Sequence, residues 1–331
     1  PGHQDFSEDT YRVLTAVDAA LMVIDGANGI EPQTMRLLKI CRARNIPIVT
    51  FVNKFDREVR EPLDLLDELE RELGMTPVPL TWPIGMGSRF RGVFDLRENR
   101  VRIFRAGEDR VGEESFVSPD DAAGMAALGP EWPQAEAEIE LVQGASEPFD
   151  PQAFVAATQT PVYFGSAINN FGVREVLDAI VDFCPPPGAK HAEQREVEPT
   201  ENGFTGVVFK VQANMDPQHR DRVAFVRLAS GHFTRGMKLA HVRSGKPMAV
   251  TNPVLFLAAD RELADEAWAG DIIGIPNHGQ LRIGDALTEG EALHFTGIPS
   301  FAPELLQGVR AADPMKAKHL EKALMQFAEE G

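Results

Sequence analysis

A polar tetrapeptide, Asn53-Lys54-Phe55-Asp56, directly follows an apolar run at residues 48–52. Such a run is typical of a strand buried in a parallel sheet, and these sheets bind ligands at the carboxyl ends of their strands. The Asp56 carboxylate can accept hydrogen bonds from both N1–H and the exocyclic amine of guanine, whereas adenine presents an acceptor at N1. The tetrapeptide alone also occurs by chance in turns, but its position after a strand favours a loop that recognises guanine.

The other residues of this loop suit the same task. Lys54 has an aliphatic stem that can lie over the plane of a base while its ammonium group stays near polar groups. Asn53 is predicted to tie neighbouring loops together, and Phe55 fills the variable position of the Asn-Lys-x-Asp pattern. Hydrogen bonds to charged groups contribute roughly 1.5 to 3 kcal/mol each, so the wrong base would lose orders of magnitude in affinity.

A second loop, Gly165-Ser166-Ala167, follows the apolar run at residues 161–164. Small residues after a strand usually form only a tight turn. The loop at residues 53–56 changes this interpretation, because both loops are predicted to lie at the same edge of one sheet. We therefore expect Ser166 and Ala167 to border the base, with the backbone N–H of Ala167 donating to guanine O6.

The elements that must position these loops alternate between strands and helices. Apolar runs at residues 19–24, 48–52 and 161–164 predict parallel strands, and Leu63, Leu66, Leu69 and Leu73 share one face of a helix that Gly74 ends. The alternation predicts a doubly wound α/β sheet in a domain at residues 1–188. Between about residues 82 and 150 the pattern loosens into short β-like pieces and one helical stretch, which we interpret as an insertion.

Beyond the α/β domain, the sequence predicts a linker and two further regions. Pro185-Pro186-Pro187-Gly188 cannot continue a helix, and residues 189–203 are polar enough for a linker. Residues 204–290 carry short β runs separated by turns, the pattern of a small antiparallel β-barrel domain. A new helical pattern follows, so residues 291–331 are predicted to start another C-terminal domain.

Composition limits the classes of function. The net charge is −17, which argues against a bare nucleic-acid binder, because such proteins need a broad basic face. The sequence has neither a signal sequence at its start nor an apolar run near the ~20 residues that a membrane-spanning helix needs. We therefore expect a cytoplasmic protein without a membrane partner. The two cysteines lack metal-ligand spacing, and the sequence suggests no metal ligands.

The sequence begins Pro1-Gly2-His3. With the loops at residues 53–56 and 165–167, this start resembles the translational GTPases, which carry Asp-(Thr/Ala)-Pro-Gly-His at the γ-phosphate switch. Further segments at residues 1–12, 81–85, 214–222 and 295–299 resemble the bacterial class II peptide chain release factors rather than elongation factor G. The resemblance implies a P-loop GTPase-type sheet, with the Gly2 N–H on the γ-phosphate, Pro1 beside it and His3 orienting the attacking water.

The resemblance also implies cofactors and partners. GTP and GDP would bind with Mg²⁺, and the protein would hydrolyse GTP on the ribosome and promote dissociation of the codon-reading release factors. Its partners would be the ribosome, ribosomal RNA and those factors, and a monomer is expected. Two alternatives stay open, namely another translational GTPase of the elongation or ribosome-recycling type and a non-catalytic ribosome-binding module.

A phosphate-binding P-loop, G-x-x-x-x-G-K-(S/T), has no match in the sequence. Gly85-Met86-Gly87 does not fit it and is interpreted as an ordinary flexible loop. We therefore expect an incomplete GTP-binding domain that lacks most phosphate and Mg²⁺ ligands, and a chain that is inactive by itself.

Overall fold

The computed structural model describes residues 7–104, 116–126, 128–213, 222–257, 260–298 and 306–330. The chain divides into two compact units, one with residues 18–185 and the other with residues 186–331 together with the described residues 7–17. Among the described residues, every helix is too short or too polar to span a membrane.

Helices and strands are numbered separately along the chain. The helices are α1 (Ser7–Leu14), α2 (Pro32–Ala43), α3 (Pro62–Leu73), α4 (Ala122–Ala126), α5 (Glu131–Ala145), α6 (Pro151–Val155), α7 (Val173–Phe183) and α8 (Ala317–Glu330). In the first unit the strands are β1 (Ala20–Asp25), β2 (Ile48–Asn53), β3 (Thr76–Pro79), β4 (Thr81–Ile84), β5 (Gly92–Asp95), β6 (Arg100–Ile103), β7 (Phe116–Val117) and β8 (Gln159–Phe164). In the second they are β9 (Lys190–His191), β10 (Glu196–Val197), β11 (Thr205–Ala213), β12 (Arg222–Ser230), β13 (His232–Thr234), β14 (Lys238–His241), β15 (Lys246–Ala249), β16 (Val254–Leu257), β17 (Asp260–Leu263), β18 (Glu266–Trp268), β19 (Ile272–Pro276) and β20 (Ala286–Thr288).

The first unit is built on a parallel sheet with strand order β1-β2-β8-β3. Its core contains Val49 and Phe51 of β2 together with Val176 and Ala179 of α7. Helix α3 begins at Pro62 and ends at Leu73, and it is followed by Gly74, whose φ of +57° is the left-handed conformation that favours glycine. The sheet confirms the predicted α/β GTPase-type fold and places the carboxyl ends of β1, β2 and β8 at one edge.

The segment between β3 and β8 forms its own antiparallel sheet, with strand order β4-β5-β6-β7. The sheet is joined to the parallel sheet at β4, where Thr81 Oγ1 accepts a hydrogen bond of 3.0 Å from the N–H of Phe164. Trp82 is fully buried and packs edge-on against the Phe164 ring. The insertion is therefore packed firmly against the strand that leads into the Gly165-Ser166-Ala167 loop.

The second unit contains an eight-stranded antiparallel sheet, with order β15-β14-β20-β11-β12-β19-β16-β17, and the ribbon β13-β18. One core receives side chains from strands spread along this sheet, for example Val208, Val226, Leu239, Ile273 and Leu287. Since distant strands share one core, the sheet must curl around it, which confirms the predicted antiparallel β domain.

The polar segment at residues 189–203 contains the hairpin β9–β10. Arg195 holds it in place by donating to both carboxylate oxygens of Glu201, at 2.7 and 2.8 Å, and to both of Glu291, at 2.9 and 2.7 Å. The Arg195 guanidinium lowers the pKa of both Glu201 and Glu291. This segment is thus an ordered part of the second unit.

A buried polar cluster surrounds Asp285, whose side chain is 4% exposed. Arg243 donates to its two carboxylate oxygens from Nε at 2.6 Å and Nη2 at 2.9 Å, and His241 Nε2 lies 2.8 Å from Oδ2. Burial alone would raise the pKa of Asp285, but the hydrogen bonds from Arg243, the Arg282 N–H and His241 outweigh it and the pKa is lowered. Because the pKa is lowered, the stabilisation by these hydrogen bonds is present above the unfolded pKa of about 3.9 and is lost as the pH falls through the folded pKa.

We expect Asp285→Asn to lower the free energy of unfolding of the second unit by about 2 kcal/mol, because the buried carboxylate loses the charge that strengthens its hydrogen bonds from Arg243 and the Arg282 N–H. Urea denaturation of the chain at pH 7, followed by circular dichroism, measures this loss. Asp265→Asn is the control, since Asp265 is 74% exposed and pairs with Arg235 at 3.2 Å. An exposed pair contributes at most about 1 kcal/mol. Equal midpoints for the two variants would show that the Asp285 cluster does not stabilise the unit.

Candidate nucleotide-binding site

The two predicted loops lie side by side because β2 and β8 are neighbouring parallel strands. The N–H of Gly165 donates to Val52 O at 3.0 Å, and the N–H of Phe55 donates to Gly165 O at 3.1 Å. Backbone hydrogen bonds therefore continue from the strands into the loops. This brings Asn53, Asp56, Ser166 and Ala167 together at the carboxyl edge of the sheet.

Asn53 joins the two loops through its side-chain oxygen. Its Oδ1 accepts hydrogen bonds from the N–H of Lys54 and from the N–H of Ala167, each at 2.8 Å. Because both donors are backbone N–H groups, they identify the oxygen end of the amide and leave its nitrogen as a donor. The N–H of Ala167 is thus engaged here, and donating to a guanine oxygen as well would require a bifurcated bond. Its predicted contact with O6 stays a prediction.

The Asp56 carboxylate is held on one side only. Ser166, fully buried, donates from Oγ to Asp56 Oδ1 at 2.5 Å, and Asn169 Nδ2 donates to the same Ser166 oxygen at 2.8 Å. The other oxygen, Oδ2, lies 3.9 Å from Nε of the exposed Arg57. The Asp56 side chain is 21% exposed, so an oriented carboxylate oxygen is presented at the surface of the loop.

Lys54 and Phe55 occupy different environments. Lys54 has a φ of +77°, and its Nζ donates to Asp25 Oδ2 at 2.6 Å. The Phe55 side chain is fully buried, with its ring edge-on to Phe164 at a centroid distance of 5.4 Å. Phe55 therefore anchors the loop in the core, and any contact that it makes with a nucleotide must come from its backbone.

Gly85-Met86-Gly87 is not the ordinary flexible loop that the sequence predicts. The N–H of Gly87 donates to Phe55 O at 3.0 Å and to Arg57 O at 3.1 Å, so this turn of the insertion is bonded to the Asn53–Asp56 loop. The two glycines adopt left-handed φ values, +72° at Gly85 and +58° at Gly87. Because glycine favours this conformation, the two glycines are the feature of the sequence that indicates a tight turn here. The hydrogen-bond partners could not be read from it.

The remaining predicted site residues, Pro1, Gly2 and His3, lie outside the described residues, and their assignment stays a prediction. Within the described ranges, no group of three His, Cys, Asp or Glu residues is arranged to hold a metal ion.

Family comparisons agree with this geometry. Residues 1–186 match the family model described as elongation factor Tu GTP binding domain, and residues 203–290 match elongation factor G domain 2. The chain therefore belongs to the family of elongation factor Tu-type GTP-binding domains.

Within this family, the chain is similar to the class II release factors. Residues 295–331 match the model described as class II release factor RF3, C-terminal domain. Over its whole length the chain is 64% identical to a protein of Bordetella pertussis and 62% identical to one of Nitrosomonas europaea, both named peptide chain release factor 3. It spans 62% of the length of each of these relatives. These matches confirm the resemblance found in the sequence.

A solved structure from Thermus thermophilus has the same fold. It superimposes with a TM-score of 0.73 at 23% sequence identity, covering 100% of this chain and 50% of the other. At this identity the likeness shows the fold alone.

Proposed function

We propose that this chain carries the guanine-recognition site of a translational GTPase of the class II release factor type. Such a protein binds GTP and GDP, hydrolyses GTP on the ribosome and promotes dissociation of codon-reading release factors. The observation that carries the proposal is the Asn169–Ser166–Asp56 hydrogen-bond chain. It fixes one oxygen of a carboxylate at the carboxyl edge of a parallel sheet and leaves the other for a ligand.

Base recognition follows from this arrangement. Each carboxylate oxygen has two lone pairs, so Asp56 Oδ2 and the lone pair of Oδ1 that Ser166 does not use can accept from N1–H and the exocyclic amine of guanine. Adenine would place an acceptor against this carboxylate and leave it unpaired, which is costly in a dry pocket. Lys54 supplies its aliphatic stem to one face of the base. Ala167 lies at the O6 edge, where its N–H would be shared between the base and Asn53.

Hydrolysis is assigned to the segment Pro1-Gly2-His3, in which Gly2 would contact the γ-phosphate and His3 would orient the attacking water. The support is the Pro-Gly-His sequence together with the family match. Mg²⁺, when bound with GTP, would neutralise charge on the phosphates. We assign no residue of this chain to the metal.

The proposed partners are the ribosome, ribosomal RNA and the codon-reading release factors, with the protein acting as a monomer in the cytoplasm. Whole-chain similarity to proteins named peptide chain release factor 3 supports this choice over an elongation or ribosome-recycling factor. The test uses the full gene product and ribosomes stalled after peptide release with a labelled codon-reading factor. GTP-dependent ejection of that factor is expected, while translocation activity without ejection would contradict the proposal.

The Gly87 turn provides a separate prediction for guanine binding. A non-glycine residue at position 87 must adopt a φ of +58°, and its Cβ would clash with the side chain of Glu58 and lie 3.3 Å from the Glu58 backbone nitrogen. A non-glycine residue in the left-handed conformation costs roughly 1–2 kcal/mol, and the turn can relieve this strain by shifting away from the Asn53–Asp56 loop to which it is bonded. We therefore expect Gly87→Ala to weaken GDP binding about three- to ten-fold. Titration of the full gene product with fluorescent GDP measures the change.

Gly129→Ala is the matched control for this prediction. Gly129 has a similar φ of +68°, but a Cβ there would meet no atom of the described residues within 4 Å. It therefore carries the same backbone cost without touching the guanine loop, and its GDP affinity should equal that of the unsubstituted protein. Equal losses in both variants would show that Gly87 acts through general stability and not through the loop.

A further inference from the structure

Asp25 ends strand β1 directly beside the guanine loop. In the parallel register of β1 and β2, Asp25 is the partner of Asn53, the residue that precedes Lys54. Its side chain is 18% exposed, and its Oδ2 accepts the hydrogen bond of 2.6 Å from Lys54 Nζ. The sequence interpretation assigned no role to Asp25.

The Asp25 carboxylate is itself fixed by its own loop. Oδ1 accepts from the N–H of Ala27 at 2.9 Å, and Oδ2 also accepts from Asn28 Nδ2 at 3.3 Å. The loop is tied back to β2, because the N–H of Gly26 donates to Asn53 O at 2.9 Å. Burial would raise the pKa of Asp25, but the hydrogen bonds from Lys54 and the backbone donors outweigh it and lower the pKa, so the Asp25 carboxylate is ionised at neutral pH.

Lys54 needs such an anchor if its side chain is to lie over a bound base. Its side chain is 44% exposed, and a free lysine side chain would have to be immobilised from many rotamers when a ligand binds. Holding Nζ on a fixed carboxylate orders the stem beforehand, which removes part of that entropic cost from binding. The ion pair itself, being partly exposed, contributes little to stability. Its effect is therefore expected in ligand affinity.

We propose that Asp25 is a positioning residue for guanine binding, which holds the Lys54 stem in the orientation that covers the base. This inference rests on the proposed guanine site and deepens it. It also predicts a change in nucleotide affinity that is opposite in sign to the change expected from charge alone. Removing a carboxylate near a phosphate-bearing ligand should strengthen binding if only charge mattered, whereas loss of the lysine anchor should weaken it.

The test measures affinities of the full gene product for GMP, GDP and GTP by competition with fluorescent GDP. We expect Asp25→Ala to weaken all three about three- to ten-fold and by the same factor, as loss of one pre-ordered side chain predicts. Asp25→Asn keeps an acceptor for Lys54 and removes only the charge, so it should weaken nucleotide binding less than Asp25→Ala does. Asp182→Ala, which breaks the half-exposed pair with Arg97, is the control and should leave the affinities unchanged.

A double-mutant cycle separates positioning from a structural role. If Asp25 acts through Lys54, Asp25→Ala should have less than about two-fold effect in a Lys54→Ala background, since contacting pairs are non-additive. Equal losses in both backgrounds, unchanged binding, or tighter binding in Asp25→Ala would overturn the proposal. Should Asp25→Ala fail to fold, the same cycle is run with Asp25→Asn. A parent protein that does not prefer guanine over xanthine or adenine would instead contradict the guanine site itself.

Discussion

Asp56→Asn is expected to change the base preference of the protein from guanine to xanthine. The amide keeps an oxygen for the Ser166 hydroxyl, which now bonds Asp56 Oδ1 at 2.5 Å, and so turns its nitrogen towards the base. An amide nitrogen donates to the additional carbonyl of xanthine but not to the N1–H of guanine. Charged hydrogen bonds of roughly 1.5 to 3 kcal/mol are lost for guanine, so GDP affinity should fall on the order of a hundred-fold or more.

The measurement is a competition between GDP and xanthosine diphosphate for the full gene product, with Asp67→Asn as the control. Asp67 lies exposed on α3, so its substitution changes the net charge equally without touching the loop. The control should retain its guanine preference. If Asp56→Asn retains it too, Asp56 does not lie in the base pocket.

His3→Ala is the second substitution with a large expected effect. We expect nucleotide affinity to stay unchanged and ribosome-stimulated GTP hydrolysis to slow on the order of a hundred-fold, the size of effect that a group positioning the reacting water supplies. Single-turnover hydrolysis with saturating ribosomes measures the chemical step. His319→Ala, on the exposed surface of α8, should hydrolyse at the normal rate. A normal rate for His3→Ala would remove His3 from the proposed catalytic role.

The elements that position the site could be predicted from the sequence because their patterns are local. Continuous apolar runs mark β1, β2 and β8, and the 3.6-residue period marks α3. Strand β3 lacks such a pattern for a physical reason. Two of its four residues, Pro77 and Pro79, lack a backbone donor, and such a segment is tolerated only at the edge of a sheet, where β3 lies.

The finer structure of the site could not be predicted, because it depends on register between distant segments. Asp25 reaches Lys54 only because β1 and β2 pair with Asp25 opposite Asn53. Ser166 and Asn169 reach Asp56 through hydrogen bonds that span two loops. Gly87 carries a recognisable glycine signal, but its two backbone acceptors lie about thirty residues away in sequence. Each of these contacts forms only once the sheet has brought the loops together.

A crystal structure of the full gene product with GDP tests most directly whether these loops form a guanine site. We expect the guanine edge within about 3 Å of Asp56 Oδ2, at normal hydrogen-bond distance, with the Lys54 stem across one face of the base and Ala167 beside O6. A nucleotide bound elsewhere, with the carboxylate of Asp56 facing solvent, would contradict the assignment of this site.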